Sequence, residues 1–520
     1  MHKTKSRLKN AARNVTVSLI AQVIILAVSF LNRTVFIKLL GAEYLGIDGL
    51  FTSILTVFSL AELGIGNAII FNLYKPVSQN DTHKSRQFIT LYEKAYNAII
   101  ISIICVGIIL MPFLRKITKA DLLEIDINIY IVFVLFLFNT VSSYFLAHRQ
   151  AVLVVNQRQS SVSLWQLVIK ISALVCECVV LYIFRNYYIF LSVKVIANYI
   201  QAVIISMQAK KEYPELCEKS TEKLSKDEIC VVKKNVGALF IRRIGSVVLS
   251  SADNIIINGF VSTVMVGVYS NYTMIIMALK QLTVQIFTAM TATVGNFVAA
   301  KGKDEVETLF KVYTFAVFIV YGITSICFYV LVNRFILLLW GKAYILSKVV
   351  VFTITLDYFM YGFQNAINTF RDTTGNFVQG KYRAIFSAIV NAVLSVILVK
   401  PLGIGGVILA TVISRVAVSA WYDPYVLYKY FFKKGIFGYY VRLLGYILVM
   451  VIMCFGTDFL LSGISCKITG FIICVPICAI TSCLVIIPYI KTNEFMHLCR
   501  YGRNILSKVL NKINKKTEEF

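Results

Sequence analysis

Charged residues are scarce in this chain: Asp, Glu, Lys and Arg make up 15% of its 520 residues, while 58% are hydrophobic. With a mean hydropathy of +0.76, there is too little charge and too much apolar length for a soluble fold. Long polar stretches are scarce as well. Only 210–234, KKEYPELCEKSTEKLSKDEICVVKK, qualifies, and the other connections are short, which counts against a membrane enzyme that grips its substrate in a large loop. No GxxxxGK[ST] loop is present to cradle a nucleotide, and no HExxH or comparable catalytic cluster points to an enzyme. Gly403-Ile404-Gly405-Gly406 is only a short turn leading into a helix. The 12 cysteines follow neither zinc spacing nor a secreted disulfide pattern. Most stand singly in apolar runs, and Cys176 and Cys178 read as small apolar fillers of one helix.

What is present is a series of apolar runs. A helix crosses the hydrocarbon core with about 20 residues, and fourteen such runs can be marked. They are 15–40, 47–72, 88–114, 127–147, 163–184, 187–209, 235–260, 264–299, 309–332, 345–370, 382–399, 404–428, 439–461 and 468–490. The expectation is an all-α integral membrane fold of about 14 transmembrane helices. The N-terminal MHKTKSRLKNAAR is a basic flank without a small-residue cleavage site, so the first run reads as a retained anchor. Basic residues outnumber acidic ones 52 to 26. With the N-terminus cytoplasmic, Lys and Arg are roughly four times as frequent on the inner side as on the outer. The net charge of +26 therefore reads as topology and attraction to anionic lipid, not as a nucleic-acid footprint.

The chain also carries an internal repeat. At an offset of 221, Arg13-Asn14-Val15 falls over Lys234-Asn235-Val236, Gly46 over Gly267, and Asn32-Arg33 over Asp253-Asn254. At 222, Arg149 meets Arg371 and Gln157 meets Gln379. Two six-helix lobes in parallel repeat are expected, with two helices appended. The expected segments are 1–209 for the first lobe, 210–234 for a cytoplasmic linker and 235–430 for the second lobe. The last two helices and a basic tail occupy 431–520. Such repeats commonly rock about a central site.

The stretch SFLNRTVFIKLL (Ser29 to Leu40) keeps an amide, an arginine and a lysine inside an apolar run. A charge facing lipid costs several kcal/mol, so such residues generally face a cavity or a partner. At 100° per residue, Ser18, Gln22, Ser29 and Arg33 fall within about 60° of one another, and Arg242, Ser246, Ser250 and Asp253 within about 80°. Lys280, in phase with Thr273, and Glu62 join the candidates. Arg33, Arg242, Asp253 and Lys280 are the expected cavity-lining residues, Asp253 alternatively as a fixed counter-ion. Lys38 is expected to snorkel to the headgroups, and Arg243 to do the same toward the cytoplasm. Lys194 and Arg415 are balanced between the two readings. Lys170 and Glu177, seven apart, can form a structural pair. Leu63-Gly64-Ile65-Gly66-Asn67 marks a break or bend in the second run. Cations along a buried polar path favour an anionic cargo, and arginine's planar fork suits phosphate.

Three segments carry a resemblance. Asn32 to Pro76, NRTVFIKLLGAEYLGIDGLFTSILTVFSLAELGIGNAIIFNLYKP, resembles the helix 1–2 region of Wzx-type bacterial polysaccharide flippases. Thr288 to Ala299 (TAMTATVGNFVA) and Thr374 to Arg415 resemble helices 8 and 11–12 of the same group. That group belongs to the multidrug/oligosaccharidyl-lipid/polysaccharide exporter superfamily. The resemblance implies two six-helix lobes forming a V and a cargo of undecaprenyl-pyrophosphate carrying an oligosaccharide, moved from the cytoplasmic to the outer leaflet. In the related peptidoglycan-precursor flippases an Arg-Asp pair of helix 1 lies in the cavity; here Asn32-Arg33 stands in the comparable place, and Asp253 is a candidate for the missing acid.

The expectation is therefore a flippase and not an enzyme, without cofactor or metal. It would sit in the bacterial cytoplasmic membrane with both termini inside. Its expected partners are lipid-linked oligosaccharide, membrane lipids and the polysaccharide polymerase machinery. The candidate cargo-binding residues are Arg33, Asn32, Arg242, Asp253, Lys280, Gln22, Ser29 and Glu62. A drug or cation antiporter of the same superfamily and a peptidoglycan-precursor flippase are the alternatives.

Overall fold

In lipid every backbone N–H and C=O must be satisfied within the protein, which leaves helices as the economical answer for apolar runs of this kind. A computed structural model describes residues 24–62, 65–118, 127–156, 158–222, 224–374, 382–464 and 467–500. Among them there is no strand, and a helix occupies each of the fourteen apolar runs. In chain order the principal helices are α1 (24–40), α2 (Ala42–Phe58), α3 (Ile65–Ser78), α4 (Thr82–Leu110), α5 (Ile129–Ser142), α6 (Ala147–Val155), α7 (Gln159–Phe184) and α8 (Tyr187–Glu212). They continue as α9 (Lys226–Phe260), α10 (Thr263–Ala300), α11 (Lys303–Trp340), α12 (Lys348–Thr373), α13 (Arg383–Leu402), α14 (Ile404–Ser414), α15 (Phe437–Leu461) and α16 (Ile468–Cys483). Nine helical stretches among the described residues are long and apolar enough to cross a membrane, and the protein is a multi-pass membrane protein.

Local chemistry sets where these helices begin and end. Asn128 and Asn186 open α5 and α8 in the same way, each side-chain oxygen accepting from the N–H groups two and three residues on. Ser225 and Glu228 form a capping box at the start of α9. In the second run α2 ends at Phe58 and a 3-10 turn covers Ser59–Glu62, while Leu63 and Gly64 of the expected break lie outside the described residues. The run at 127–147 is divided. Leu146 takes a left-handed conformation (φ 57°) and α6 starts anew after it.

The chain separates into two compact units, residues 1–271 with 384–407 and residues 272–383 with 408–520. In the first unit Phe51 of α2 meets Phe133 and Phe136 of α5 edge-on at 5.4 and 5.7 Å. The segment after α8 is docked on the start of α4, where Arg86 reaches Glu215 and Glu218, Lys219 reaches Glu93 and Lys84 reaches Glu228. In the second unit α11 is the hub. Its Phe310, Phe315, Phe318 and Tyr321 are wholly buried, and α12, α15 and α16 enclose it. Phe318 stacks on Tyr446 at 4.2 Å and Phe310 meets Phe370 at 4.9 Å. Arg334 caps the end of α15 by donating to the carbonyls of Leu461 and Ile464. The two C-terminal helices thus complete the core of this unit.

One contact in the first unit is reciprocal. A Cβ added at Gly46 would lie 2.1 Å from the carbonyl oxygen of Thr263, and one at Gly267 would lie 2.8 Å from that of Ala42. Gly46 and Gly267 are 221 residues apart, and so are Ala42 and Thr263. Residue i touches the mate of j while j touches the mate of i, which is the signature of a local two-fold. The neighbouring hydrogen bonds are reciprocal by helix but not by residue: Arg33 of α1 reaches Asn271 of α10, whose mate is Leu50, while its own mate Asn254 of α9 reaches Ser53 of α2 at 2.8 Å.

Candidate functional site

Helix α1 carries two polar neighbours that a 100° turn sends in different directions. Arg33, half-buried, donates from Nε to Oδ1 of Asn271 at 2.9 Å and from its fork to the Ser270 hydroxyl. Asn271 is fully buried, so this is a specific seat and not a chance surface contact. Ser29, one turn earlier on the same face, is half-buried. Asn32 points elsewhere: it is 7% exposed and donates to Glu177 Oε2 at 2.8 Å and to the Leu174 carbonyl. Glu177 therefore takes Asn32 as its partner, and among the described residues it forms no ion pair with Lys170, which is exposed.

Asp253 is buried in α9 at 8% exposure. Glu62 accepts from the Tyr96 hydroxyl at 2.7 Å, beside the stacked rings of Tyr92 and Tyr96. Lys38 is exposed, and Lys194 is tied to Asp48 at 3.3 Å with its ammonium over the Phe190 ring. Gln22, and the side chains of Arg242 and Arg243, lie outside the described residues.

Lys280 belongs to a cluster in the second unit. Its Nζ lies 3.6 Å from Oδ2 of Asp357 and 4.7 Å from the centre of the Tyr361 ring. Arg415 puts Nε and a terminal nitrogen on the other oxygen of Asp357, both at 2.8 Å, and donates to Gln364. Asp357, Tyr361 and Gln364 stand at i, i+4 and i+7 of α12 and so share one face. Arg415 opens a wider, π-helical turn over Arg415–Ala420 that continues α14, a type of irregularity common at functional sites. Two cations thus share one carboxylate in a site where Lys280, Asp357 and Arg415 are 19%, 14% and 11% exposed.

A second buried group holds Arg371 and Arg383 on the carboxylate of Asp423, which has no exposure at all. Arg149, the repeat mate of Arg371, is buried likewise and donates to the Cys217 carbonyl at 2.5 Å. Both arginines are internal staples at helix ends. Among the described residues no group of three His, Cys, Asp or Glu side chains is arranged to hold a metal.

Helices of membrane-spanning length with charged clusters held inside them define a multi-pass membrane protein. Residues 11–294, more than half of the chain, match the family described as polysaccharide biosynthesis protein, and the chain belongs to that family. Residues 238–397 match the MatE family. Among solved structures, the lipid II flippase MurJ in an inward closed conformation is 16% identical, covers 92% of this chain and 99% of its own, and has a TM-score of 0.63. An inward-facing multidrug resistance MATE family transporter of the MOP superfamily is 14% identical over 78% of this chain and 96% of its own, at a TM-score of 0.56. A point mutant of the MATE transporter VcmN of Vibrio cholerae is 12% identical over 84% of this chain and 99% of its own, at 0.54. No curated protein matches the sequence. The chain is a member of the multidrug/oligosaccharidyl-lipid/polysaccharide exporter superfamily and has its transporter fold.

Proposed function

We propose that this protein is a flippase. It moves undecaprenyl-pyrophosphate-linked oligosaccharide units from the cytoplasmic to the outer leaflet for surface polysaccharide synthesis, by alternating access through a cationic central cavity. The observation that carries the reading is Arg33. It is a permanently charged group kept inside an apolar helix and seated on the neutral acceptors Ser270 and Asn271, and its planar fork suits pyrophosphate. Membership of the polysaccharide biosynthesis family supports the cargo class.

In this reading residues 1–209 and 235–430 are the two lobes, joined by 210–234, and both termini are cytoplasmic. Arg33, Arg242 and Lys280 meet the pyrophosphate, with Asp253 as counter-ion, while Gln22, Ser29, Asn32 and Glu62 continue the polar path. The turns joining α1 to α2 and α9 to α10 then face outward. The Gly46–Gly267 contact beside them closes the outer end, and separating it is the step that releases cargo. A peptidoglycan-precursor flippase is the second reading, favoured by the likeness to MurJ over 92% of this chain.

The test is the transbilayer distribution of lipid-linked oligosaccharide in cells lacking the protein, with wild-type or Arg33→Ala chains restored. Build-up on the cytoplasmic leaflet, relieved by wild type and not by the variant, is the expected result. Build-up of lipid-linked peptidoglycan precursor instead selects the second reading. An unchanged distribution of both overturns the flippase assignment and brings forward a drug or cation antiporter.

A further inference from the structure

The end of the helix that begins as α14 is built unlike the others. After the π-helical turn at Arg415 it runs through Trp421–Val426 and widens again over Leu427–Phe432. The chain then reverses at Lys433, which takes a left-handed conformation (φ 57°), and α15 starts at Phe437. Between these two membrane-spanning stretches lies an open groove of about 490 Å³, lined by Tyr425, Tyr428, Lys429, Lys433, Lys434 and Ile436. Its three lysines are not equivalent. Lys434 is committed to Asp304 and Glu307, at 2.5 and 2.6 Å. Lys429 donates to the Tyr425 hydroxyl at 2.8 Å. Neither Lys429 nor Lys433 has a carboxylate partner among the described residues, and both are exposed.

The rim has the composition of a membrane interface. Trp421, Tyr430 and Phe437 are 51%, 50% and 79% exposed, as aromatic side chains are at headgroup level. From Phe437 an apolar stripe at helical spacing runs down α15 through Val441, Leu444 and Leu448, all at least half exposed. A cationic groove thus opens onto an apolar track that leads into the hydrocarbon. Basic pockets at span ends are the sites at which anionic lipid headgroups are held.

We propose that this groove seats the phosphate headgroup of an anionic bilayer phospholipid, with Lys429 and Lys433 as its charged contacts and its acyl chain along the α15 stripe. The occupant is a structural lipid, distinct from any transported cargo. Lys434, fixed by Asp304 and Glu307, holds the turn that presents the other two lysines.

The test is lipid retention by the purified full-length protein, read by native mass spectrometry after exchange against phosphatidylglycerol or phosphatidylcholine. Wild type is expected to retain phosphatidylglycerol in preference. The Lys429→Gln/Lys433→Gln chain should lose that preference by about tenfold, and the Lys429→Arg/Lys433→Arg chain should keep it. Equal retention of both lipids by wild type, or no change in the glutamine variant, overturns the proposal. So does displacement of the lipid by millimolar glycerol phosphate, which would mark a free-phosphate site. Selective displacement by a polyprenyl diphosphate would overturn it also, by assigning the groove to cargo. None of these readouts measures transport, so they stand apart from the flippase assignment.

Discussion

At the scale of single residues, the charges inside the helices meet partners of different chemistry. Arg33 is seated on Ser270 and Asn271, whereas Arg415 and Lys280 share Asp357. Arg33→Ala and Arg242→Ala are expected to reduce transport at least tenfold with normal amounts of protein in the membrane, because an arginine–phosphate fork contributes on the order of 2 kcal/mol. Lys38→Ala, at an exposed position, should be nearly silent. Equal activity of the three variants in the lipid-distribution assay would remove the role given to the two arginines. Asp357→Ala leaves two cations facing each other in a nearly dry site, a loss of about 3 kcal/mol. A large fall in melting temperature, partly restored when Lys280→Met is added, is the expected outcome in a thermal-shift measurement. The residues of this cluster show how far the sequence can be read. Asp357, Tyr361 and Gln364 have helical spacing that is visible in the string. That Arg415 closes on them from 58 residues away is a matter of packing. Asn32 teaches the converse, for adjacency to Arg33 in sequence means 100° of separation on a helix, and the structure turns it toward Glu177.

At the scale of elements, the reciprocal contact of α2 with α10 turns the repeat from a sparse set of identities into a geometric relation. Both glycines leave no room for a side chain, but not to the same degree: 2.1 Å to backbone at Gly46 against 2.8 Å at Gly267. Backbone cannot yield as a side-chain tip does, so Gly46→Ala should cost about 2–3 kcal/mol and Gly267→Ala less. Hydrogen exchange is expected to rise at 42–50 and 263–270 together in either variant. A rise on one helix alone would break the link between them. The docked segment before α9 carries a pH dependence. The hydrogen bond from Lys84 holds the Glu228 carboxyl below its ordinary range, so its contribution is complete above the unfolded-chain value and is lost as pH falls through the lowered one. Among the described residues Lys84 and Ser225 are the groups that face that carboxylate. Exchange protection at 215–230 should therefore decline under acid conditions in wild type, and by a smaller margin in Glu228→Gln, which keeps the Glu93 and Glu218 pairs to lose.

At the scale of the whole molecule, the charge bias along the loops predicts both termini inside. Tags at either end should be cut by protease only after spheroplasts are opened; cleavage of one tag in intact spheroplasts would overturn the even number of crossings. The mean hydropathy of +0.76 and the scarcity of charge made a helical membrane protein the one physically economical outcome. Nine described stretches meet the requirement for crossing. The others fall short in part for the reason that makes them interesting: α9 and α12 carry Arg242, Asp253 and Asp357 in the middle of their runs.

The sequence by itself determined the class, because apolar length, loop charge and helical phase are local quantities that each stretch displays without its neighbours. It suggested the repeat, through a shared offset, and it singled out Arg33 and Lys280 as charges that need an explanation. Only the tertiary structure decided their partners. Which carboxylate answers which cation, how Gly46 meets the mate of Ala42, and why α15 and α16 enclose α11 depend on contacts between residues far apart in the chain. Such contacts are fixed by shape and by the cost of leaving a buried charge unanswered, and no local pattern records them.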